Sequence, residues 1–327
     1  ISKYTDAPDF WLVGYEEVQG YLRALNKARL QSVGQSAGGR PLSVAYYGPD
    51  DPRRTVCLTG GTHGTETEGV ASITNMIKVF ESGHDLLGKE WPELQDAVKD
   101  VGFYLMPLYN VDASARSPVK CYAGMEWEAV NHLHVGFWKN GQTLDRKRTF
   151  GPWGEDSDVT DRLDYIKYLG ARFNDAGRLI NRPKSRTESM AVETQQMLQY
   201  LRKNRIDCYM DLHSHKSPPW LGIYPEEHTS GDYDEHVQLF ELTREHTVEA
   251  GGPELQEGWQ GADRWFNSHF FSANLGIYSF TYEAQAAWEG NFPDMTREEK
   301  LRTNTYNGIY TIIGLGRALL DVPSPWS

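Results

Sequence analysis

Short β-rich runs alternate with helical patterns along this chain, and that alternation is the feature that most constrains its fold. Runs rich in β-branched and aromatic residues favour strands, and they predict five: Ser43–Tyr47, Thr55–Leu58, Gly102–Leu108, Ile206–Leu212 and Ile277–Tyr282. Apolar residues at helical spacing predict four helices: Glu66–Phe80, Glu188–Lys203, Glu235–Glu249 and Arg297–Leu320. We therefore expect an α/β fold with a central mixed sheet flanked by helices on both faces.

The length and composition of the chain indicate one large globular domain. Because 327 residues are few for two well-developed domains, we expect a single domain over residues 1–327. A helical lead-in is expected over about residues 1–32, from helical periodicity. Hydrophobic residues make up 39% of the chain and aromatic residues 12%, which is enough to build a substantial core.

The charge and the cysteine content bear on partners and location. A formal net charge of −12 disfavours binding to nucleic acids and to anionic membranes. No apolar run approaches the roughly 20 residues that a membrane helix needs. Cys57 and Cys208 lie in apolar, strand-like runs, where buried thiols are expected. These features favour a cytoplasmic location, and a secreted or periplasmic one stays open if a leader was removed.

Three predicted strands run into ionisable side chains. These are His63 with Glu66, His213 with His215, and Glu283. Because functional residues gather at the carboxyl ends of strands in such sheets, we expect these side chains to lie close together. Two imidazole nitrogens and a carboxylate suit a catalytic zinc ion, which takes three protein ligands and leaves one position for water.

The spacing of His63 and Glu66 supports this expectation. Residues three apart project to the same side of one helical turn, and the flanking glycines let the backbone turn sharply. Glu68 lies five residues after His63, so we expect it to point elsewhere as a solvated charge. A His-x-x-Glu pair alone also arises by chance, its glutamate serving only as a carboxylate at a helix start. The pair therefore needs partners elsewhere in the chain.

Six segments with a fixed order carry a resemblance to a known family. They are Gly34–Leu42, Gly61–Glu66, Asn110–Ala113, Arg172–Asn174 with Asn181-Arg182, Leu212–Ser214, and Phe280–Glu283. In this order they resemble the zinc carboxypeptidases of the peptidase M14 family, of carboxypeptidase A type. The first segment is similar to the family's Gly-x-Ser-x-x-Gly-Arg stretch, and the second and fifth to its metal motifs. Single motifs of this kind are weak, but six in order are a specific signal.

The resemblance implies a zinc hydrolase with one zinc ion per chain. His63, Glu66 and His213 would hold the ion through neutral imidazoles and a carboxylate. Zinc lowers the pKa of bound water to about 7. Glu283 would take the proton of that water as general base and pass it to the leaving amine.

The resemblance also implies roles for basic and amide side chains. Arg172 would stabilise the oxyanion of the tetrahedral intermediate, with Arg116 and Arg178 as rival candidates. Asn181 and Arg182 would bind a substrate carboxylate, the arginine through its bidentate fork.

Two departures from the family pattern affect the substrate class. Leu179 stands where the family has an aspartate two residues before the Asn-Arg pair. No tyrosine lies between Tyr233 and Tyr278, where the family's mobile tyrosine normally falls. The role of that tyrosine, which is to close over bound substrate, would fall to Trp259, to His246 or to no residue.

The remaining candidates concern substrate binding. His215 stands where the family commonly has tyrosine, and we expect it to line the substrate pocket. Asp263, in a segment similar to the one that lines the family's specificity pocket, would favour a basic substrate side chain unless Arg264 neutralises it. We assign the other histidines to surface or loop positions: His84, His132, His134, His228, His236 and His269.

The sequence thus predicts zinc-dependent hydrolysis of an amide bond, with removal of a C-terminal residue from a peptide or peptide-like substrate. The alternative is a deacylase of small N-acyl amino acids, similar to the succinylglutamate desuccinylase and aspartoacylase branch. A non-catalytic zinc-binding module is a third reading. Gly34–Gly38 also matches the serine-hydrolase elbow, but that elbow needs a strand before the serine and a helix after it.

Overall fold

The computed structural model describes residues 6–144, 159–181, 190–216, 218–223, 232–259 and 267–326. Ten strands lie in these ranges: β1 (Arg29–Gln35), β2 (Pro41–Tyr47), β3 (Arg54–Gly60), β4 (Val101–Met106), β5 (Gly136–Trp138), β6 (Ile166–Leu169), β7 (Cys208–His215), β8 (Trp220–Ile223), β9 (Gln256–Trp259) and β10 (Tyr278–Gln285). Eight of them form one sheet in the order β1-β2-β4-β3-β7-β10-β8-β9, and β5 pairs with β6.

The centre of the large sheet is parallel and its edges are partly antiparallel. Strands β4, β3, β7 and β10 run parallel to one another. Antiparallel pairs join β1 to β2, β2 to β4, and β8 to β10. The mixed sheet expected from the sequence is therefore confirmed, and its central strands deliver their carboxyl ends to a common edge.

Helices cover both faces of the sheet, as expected. They are α1 (Tyr15–Arg23), α2 (Glu68–Ser82), α3 (Pro92–Ala97), α4 (Val111–Arg116), α5 (Trp127–Val135), α6 (Val192–Lys203), α7 (Tyr233–Glu249), α8 (Asn267–Leu275) and α9 (Arg297–Ala318). On β7, Tyr209 packs edge-on against Phe271 of α8, whereas Leu212 meets Gly69 of α2. Because strand residues three apart point to opposite faces, α8 and α2 lie on opposite sides of the sheet.

The long helix α9 illustrates how local sequence sets an element boundary. Thr296 caps its start, since its hydroxyl oxygen accepts from the backbone N–H of Glu299 and the Glu299 side chain bonds back to the Thr296 N–H. This reciprocal capping satisfies two backbone donors that would otherwise lack partners. The helix then packs along α7 and α2, closing the core on that side of the sheet.

The predicted elements are present with shifted ends. The five predicted strands correspond to β2, β3, β4, β7 and β10, and the four predicted helices to α2, α6, α7 and α9. Glu188, the predicted start of α6, lies outside the described residues. The predicted lead-in contains one helix, α1, before β1 begins at Arg29.

Two further expectations concern cysteines and membranes. Cys57, Cys121 and Cys208 all lie in described ranges, and each is a buried free thiol. Within those ranges, no helix combines the length and the apolar character needed to traverse a bilayer.

Candidate active site

The site lies at the carboxyl edge of the central strands. After β3 ends at Gly60, the chain turns at Gly61, whose φ of +63° lies in the left-handed region that favours glycine. The backbone N–H of Glu66 then donates to the His63 carbonyl at 3.0 Å. This tight turn directs both side chains to one side, where the neighbouring strand β7 ends.

Three side chains with metal-binding atoms converge at this edge. Glu66 lies between two imidazoles: its Oε1 is 2.7 Å from His63 Nδ1, and its Oε2 is 2.7 Å from His213 Nδ1. The two imidazole rings are 4.9 Å apart between centroids. His63, Glu66 and His213 are buried, with 5%, 7% and 2% of their surface exposed. The structure thus brings together the three residues that the sequence selected.

The protonation of this cluster fits a metal site. Burial lowers the pKa of His63 to about 4, so its imidazole is neutral and able to bind a metal ion. Burial works against a charged His213 too, but Asp211 and Glu66 raise its pKa well above the usual value. Burial would raise the pKa of Glu66, yet attraction to His63 and His213 holds it well below its usual value. A carboxylate between two imidazoles fits zinc, and the His213 proton is the one that a metal would replace.

Asp211 fixes the orientation of His213. Its Oδ2 is 2.9 Å from His213 Nε2, and its Oδ1 accepts hydrogen bonds from the hydroxyls of Thr59 and Thr62 at 2.8 and 2.7 Å. Asp211 is only 1% exposed, so these contacts within the protein, rather than water, set the position of its carboxylate. A buried carboxylate of this kind holds a ligating imidazole in one orientation. By contrast, His63 Nε2 has no hydrogen-bond partner among the described residues.

Glu283 lies beside the cluster on the adjacent strand. It is paired with His213 in the parallel register of β10 and β7. Burial raises the pKa of its carboxyl to about 8, and the negative charges of Glu66 and Asp211 act in the same direction. No described residue hydrogen-bonds to its Oε2. A half-buried carboxyl with a raised pKa, held next to a metal-binding cluster, has the properties of a general base.

Arg172 reaches the same site from the loop after β6. Its side chain is buried, and its charge lowers the pKa values of both His63 and Glu283. The rival Arg116 is instead paired with Asp175 and donates to the Phe173 carbonyl at 2.6 Å. The structure therefore places Arg172 at the cluster and Arg116 in a supporting ion pair.

The predicted substrate-binding residues are only partly described. Asn181 is buried, with 1% of its surface exposed, and His215 is exposed at the end of β7. Arg182 and Asp263 lie outside the described residues. Trp259 ends β9, and its side chain lies outside the described part of the chain. His246 is engaged on α7, where its Nδ1 is 2.7 Å from Glu249 Oε2.

Sequence reasoning missed the role of His134. We expected a surface or loop position, but His134 is only 9% exposed, and its ring packs edge-on against His63 at 4.9 Å. Its ligand atoms and those of His63 and Glu66 lie within 4.8 Å of one another. The missed signal was the spacing of Val130 and His134, which puts the histidine on the buried stripe of α5.

Other expectations about polar residues were also wrong. His236 and His269 are each only 1% exposed rather than at the surface, and His228 lies outside the described residues. Glu68 was expected in solvent, but it is 2% exposed and accepts a hydrogen bond from the backbone N–H of Ala287 at 3.1 Å. Burial raises the pKa of Glu68. Its side chain therefore lies in the interior rather than in solvent.

An ion-pair network joins three of the six sequence segments. Asp112 accepts from the Ser36 hydroxyl at 2.5 Å and from Arg40 Nη1 at 2.8 Å. The same Arg40 nitrogen is 2.5 Å from Asp175, next to Asn174. Shared partners of this kind hold the loop that carries Arg172 in place relative to α4 and the N-terminal hairpin.

Comparison with known proteins identifies the family. A model of the zinc carboxypeptidase family, Peptidase_M14, matches residues 21–292 of this chain. The chain belongs to the zinc carboxypeptidase family. The members of this family are zinc carboxypeptidases, and in this chain His63, Glu66 and His134 are grouped closely enough to hold a metal ion, with His213 hydrogen-bonded to Glu66 beside them.

The relatives of this chain are distant in sequence. Mouse (Mus musculus) carboxypeptidase A6 is 28% identical over 139 residues, which are 40% of this chain and 28% of that protein. A metallo-carboxypeptidase from Burkholderia cenocepacia superposes with a TM-score of 0.60 at 17% identity, covering 91% of this chain and 66% of the other. Carboxypeptidase A from Helicoverpa armigera gives 0.61 at 15% identity, covering 98% and 78%. The chain thus spans less than a third of the curated relative, and the solved structures share its fold.

Proposed function

We propose that this zinc carboxypeptidase domain removes a C-terminal residue from a peptide or peptide-like substrate. The observation that carries the proposal is the convergence of His63, Glu66 and His213 on one buried point beside Glu283 and Arg172. Family membership supports metal-dependent hydrolysis of peptides. Exopeptidase cleavage and the roles of individual residues are the parts proposed here.

The proposed mechanism assigns a task to each side chain. His63, Glu66 and His213 would hold zinc, which would supply Lewis-acid polarisation of the substrate carbonyl and of a water molecule. Glu283 would take a proton from the attacking water and pass it to the leaving amine. Burial raises the pKa of Glu283 to about 8 before zinc binds, and a dication beside it would lower that pKa, which keeps the carboxylate available as a base near neutral pH.

Arg172 and the Asn181-Arg182 pair are proposed to orient the substrate. Arg172 would donate hydrogen bonds to the developing oxyanion. Its buried guanidinium is close enough to the site for its charge to lower the pKa values of both His63 and Glu283. Asn181 and Arg182 bind the terminal carboxylate. Asp263 would then favour basic side chains, and equal turnover of matched substrates ending in Lys, Phe and Glu would remove that assignment.

Replacement of Glu283 tests the mechanism. Glu283→Gln should retain zinc, measured by metal analysis, and lower kcat by about 10²–10⁴-fold, because general-base catalysis contributes that much. Glu289→Gln is the matched control, since Glu289 is exposed and lies six residues further along. Full activity in Glu283→Gln would contradict the mechanism, and full activity after zinc is removed by a chelator would contradict the proposed function.

A deacylase acting on small N-acyl amino acids is the second candidate. The observation that favours it is Leu179, which packs in an apolar cluster with Phe173 and Val159 where the family has an aspartate near its carboxylate clamp. Both functions use the same metal cluster. A mass-spectrometric screen of C-terminally varied peptides and N-acyl amino acids separates them, because only an exopeptidase shortens the peptides.

A further inference from the structure

His134 connects two parts of the active site that the sequence keeps far apart. Its Nδ1 lies 2.6 Å from the hydroxyl oxygen of Thr65, which stands between His63 and Glu66. Its Nε2 lies 3.2 Å from Nη1 of Arg172. The imidazole therefore bridges the metal-binding turn and the arginine proposed to stabilise the oxyanion.

Hydrogen-bond chemistry fixes which nitrogen of His134 carries the proton. A guanidinium has only donors, so the contact with Arg172 requires a bare, accepting Nε2. The ring proton must then be on Nδ1, from where it is donated to the Thr65 oxygen. His134 is thus a neutral imidazole in the Nδ1–H form, because in the Nε2–H form Nδ1 could still accept from the Thr65 hydroxyl but Nε2 could no longer accept from Arg172.

The backbone holds the same three segments together. The Gly64 N–H donates to the Ala171 carbonyl at 2.9 Å, and the Ala171 N–H donates to the Leu133 carbonyl at 3.1 Å. Each of these residues is next to one of the three bridged side chains. Because the backbone is already fixed, the contact with His134 Nε2 restrains where the Arg172 side chain can aim its guanidinium.

We propose that His134 is a positioning residue that aims Arg172 at the reacting carbonyl. This inference rests on the proposed function, in which Arg172 binds the oxyanion. The competing role for His134 is metal ligation, since its ligand nitrogen lies within 4.8 Å of the ligand nitrogen of His63 and of the carboxylate oxygen of Glu66. Ligation is disfavoured because a cation on Nε2 would face the Arg172 guanidinium, and Nδ1 is already bonded to Thr65.

A double-mutant cycle tests the proposal. His134→Ala should lower kcat by about 10–100-fold, as loss of a partner that orients a catalytic group does, with KM and zinc content little changed. In an Arg172→Ala background the same change should cost less than about twofold. His134→Gln, whose amide oxygen can accept from Arg172, should recover part of the loss. His132→Ala is the control, since His132 stacks on Phe137 from the same helix.

Two results, one kinetic and one from metal analysis, would overturn the proposal. Equal losses from His134→Ala with and without Arg172 would show that His134 does not act through the arginine. Loss of zinc from His134→Ala would make it a metal ligand instead.

A measurement independent of activity separates this inference from the proposed function. Imidazole ¹⁵N spectra of zinc-loaded, histidine-labelled protein, assigned with His134→Gln, should show the Nδ1–H form for His134. Arg172→Ala should shift this histidine toward the Nε2–H form. An Nε2–H form in the wild type would refute the inference. If the wild type hydrolysed neither substrate class, the proposed function would fail, and the tautomer would still decide the role of His134.

Discussion

Adding a single methyl group at Gly69 should disturb the metal site, because Gly69 packs against the strand that carries His213. It is the second residue of α2, three residues after Glu66, and it packs against Leu212, the residue before His213. A Cβ at position 69 would lie 2.6 Å from Leu212 Cβ and 2.7 Å from the Leu212 carbonyl oxygen. Because unbonded carbon atoms are comfortable at roughly 3.5–4.0 Å, α2 and β7 would have to separate by about 1 Å.

The magnitude follows from these contacts. Overpacking costs about 1–3 kcal/mol, and replacing a helical glycine by alanine offsets about 0.5–1 kcal/mol of it. Gly69→Ala should therefore destabilise the fold by about 0.5–2 kcal/mol, which lowers Tm by about 1–3 °C for a chain of 327 residues. Since zinc ligands tolerate displacements of only about 0.2 Å, zinc should bind about 10–100-fold more weakly.

Zinc titration against a chelating dye and thermal unfolding with and without zinc measure both effects. The matched control is Gly20→Ala, because Gly20 is also helical and a Cβ there meets no atom within 4 Å. This variant should gain about 0.5–1 kcal/mol of stability and bind zinc normally. If Gly69→Ala gained stability as the control does and kept wild-type zinc affinity, the reasoning from this contact would be refuted.

Two other perturbations have defined outcomes. Asp211→Asn removes the carboxylate that orients His213 and should weaken zinc binding by about 10–100-fold in the same titration. The control is Asp207→Asn, one residue before β7 begins, which should leave zinc affinity unchanged. Burial lowers the pKa of His236 to about 4 from 6.5, so the unfolded chain takes up the proton first. The unfolding free energy should then fall by up to about 3 kcal/mol between pH 6.5 and pH 4 from this residue. His236→Gln should flatten that part of the urea-unfolding profile, and an unchanged slope would show that another group is responsible.

The sequence predicted the central strands well because their signal is local. β3, β4, β7 and β10 are rich in apolar, β-branched and aromatic residues, and most of their residues are buried, as is typical of strands covered on both faces. β1 was missed because its residues are largely exposed, so it lacks the apolar alternation of a half-buried strand. β8 and β9 are four residues each, which is too short for periodicity to be read.

The convergence of His63, Glu66 and His213 could be foreseen because all three lie at the carboxyl ends of two neighbouring parallel strands, β3 and β7. The place of His134 could not be foreseen in that way. Its partners Thr65 and Arg172 are 69 and 38 positions away in the chain, and only the fold of α5 and the loop after β6 brings them together. The burial of Glu68 could not be foreseen either, because the sequence does not indicate that Ala287, 219 positions away, lies against it.

The pairing of Glu283 with His213 across neighbouring strands fixes the geometry of the proposed catalytic residues, whereas the length of connecting loops is not fixed by it. The spacing of Glu283 and His213 is set by the hydrogen-bond ladder, and a slip of one residue would turn the carboxylate to the other face of the sheet. Connecting loops elsewhere in the domain can therefore change in length while the ladder is kept. Over evolutionary time, such a domain can acquire new substrates by exchanging loops, with this pairing left intact.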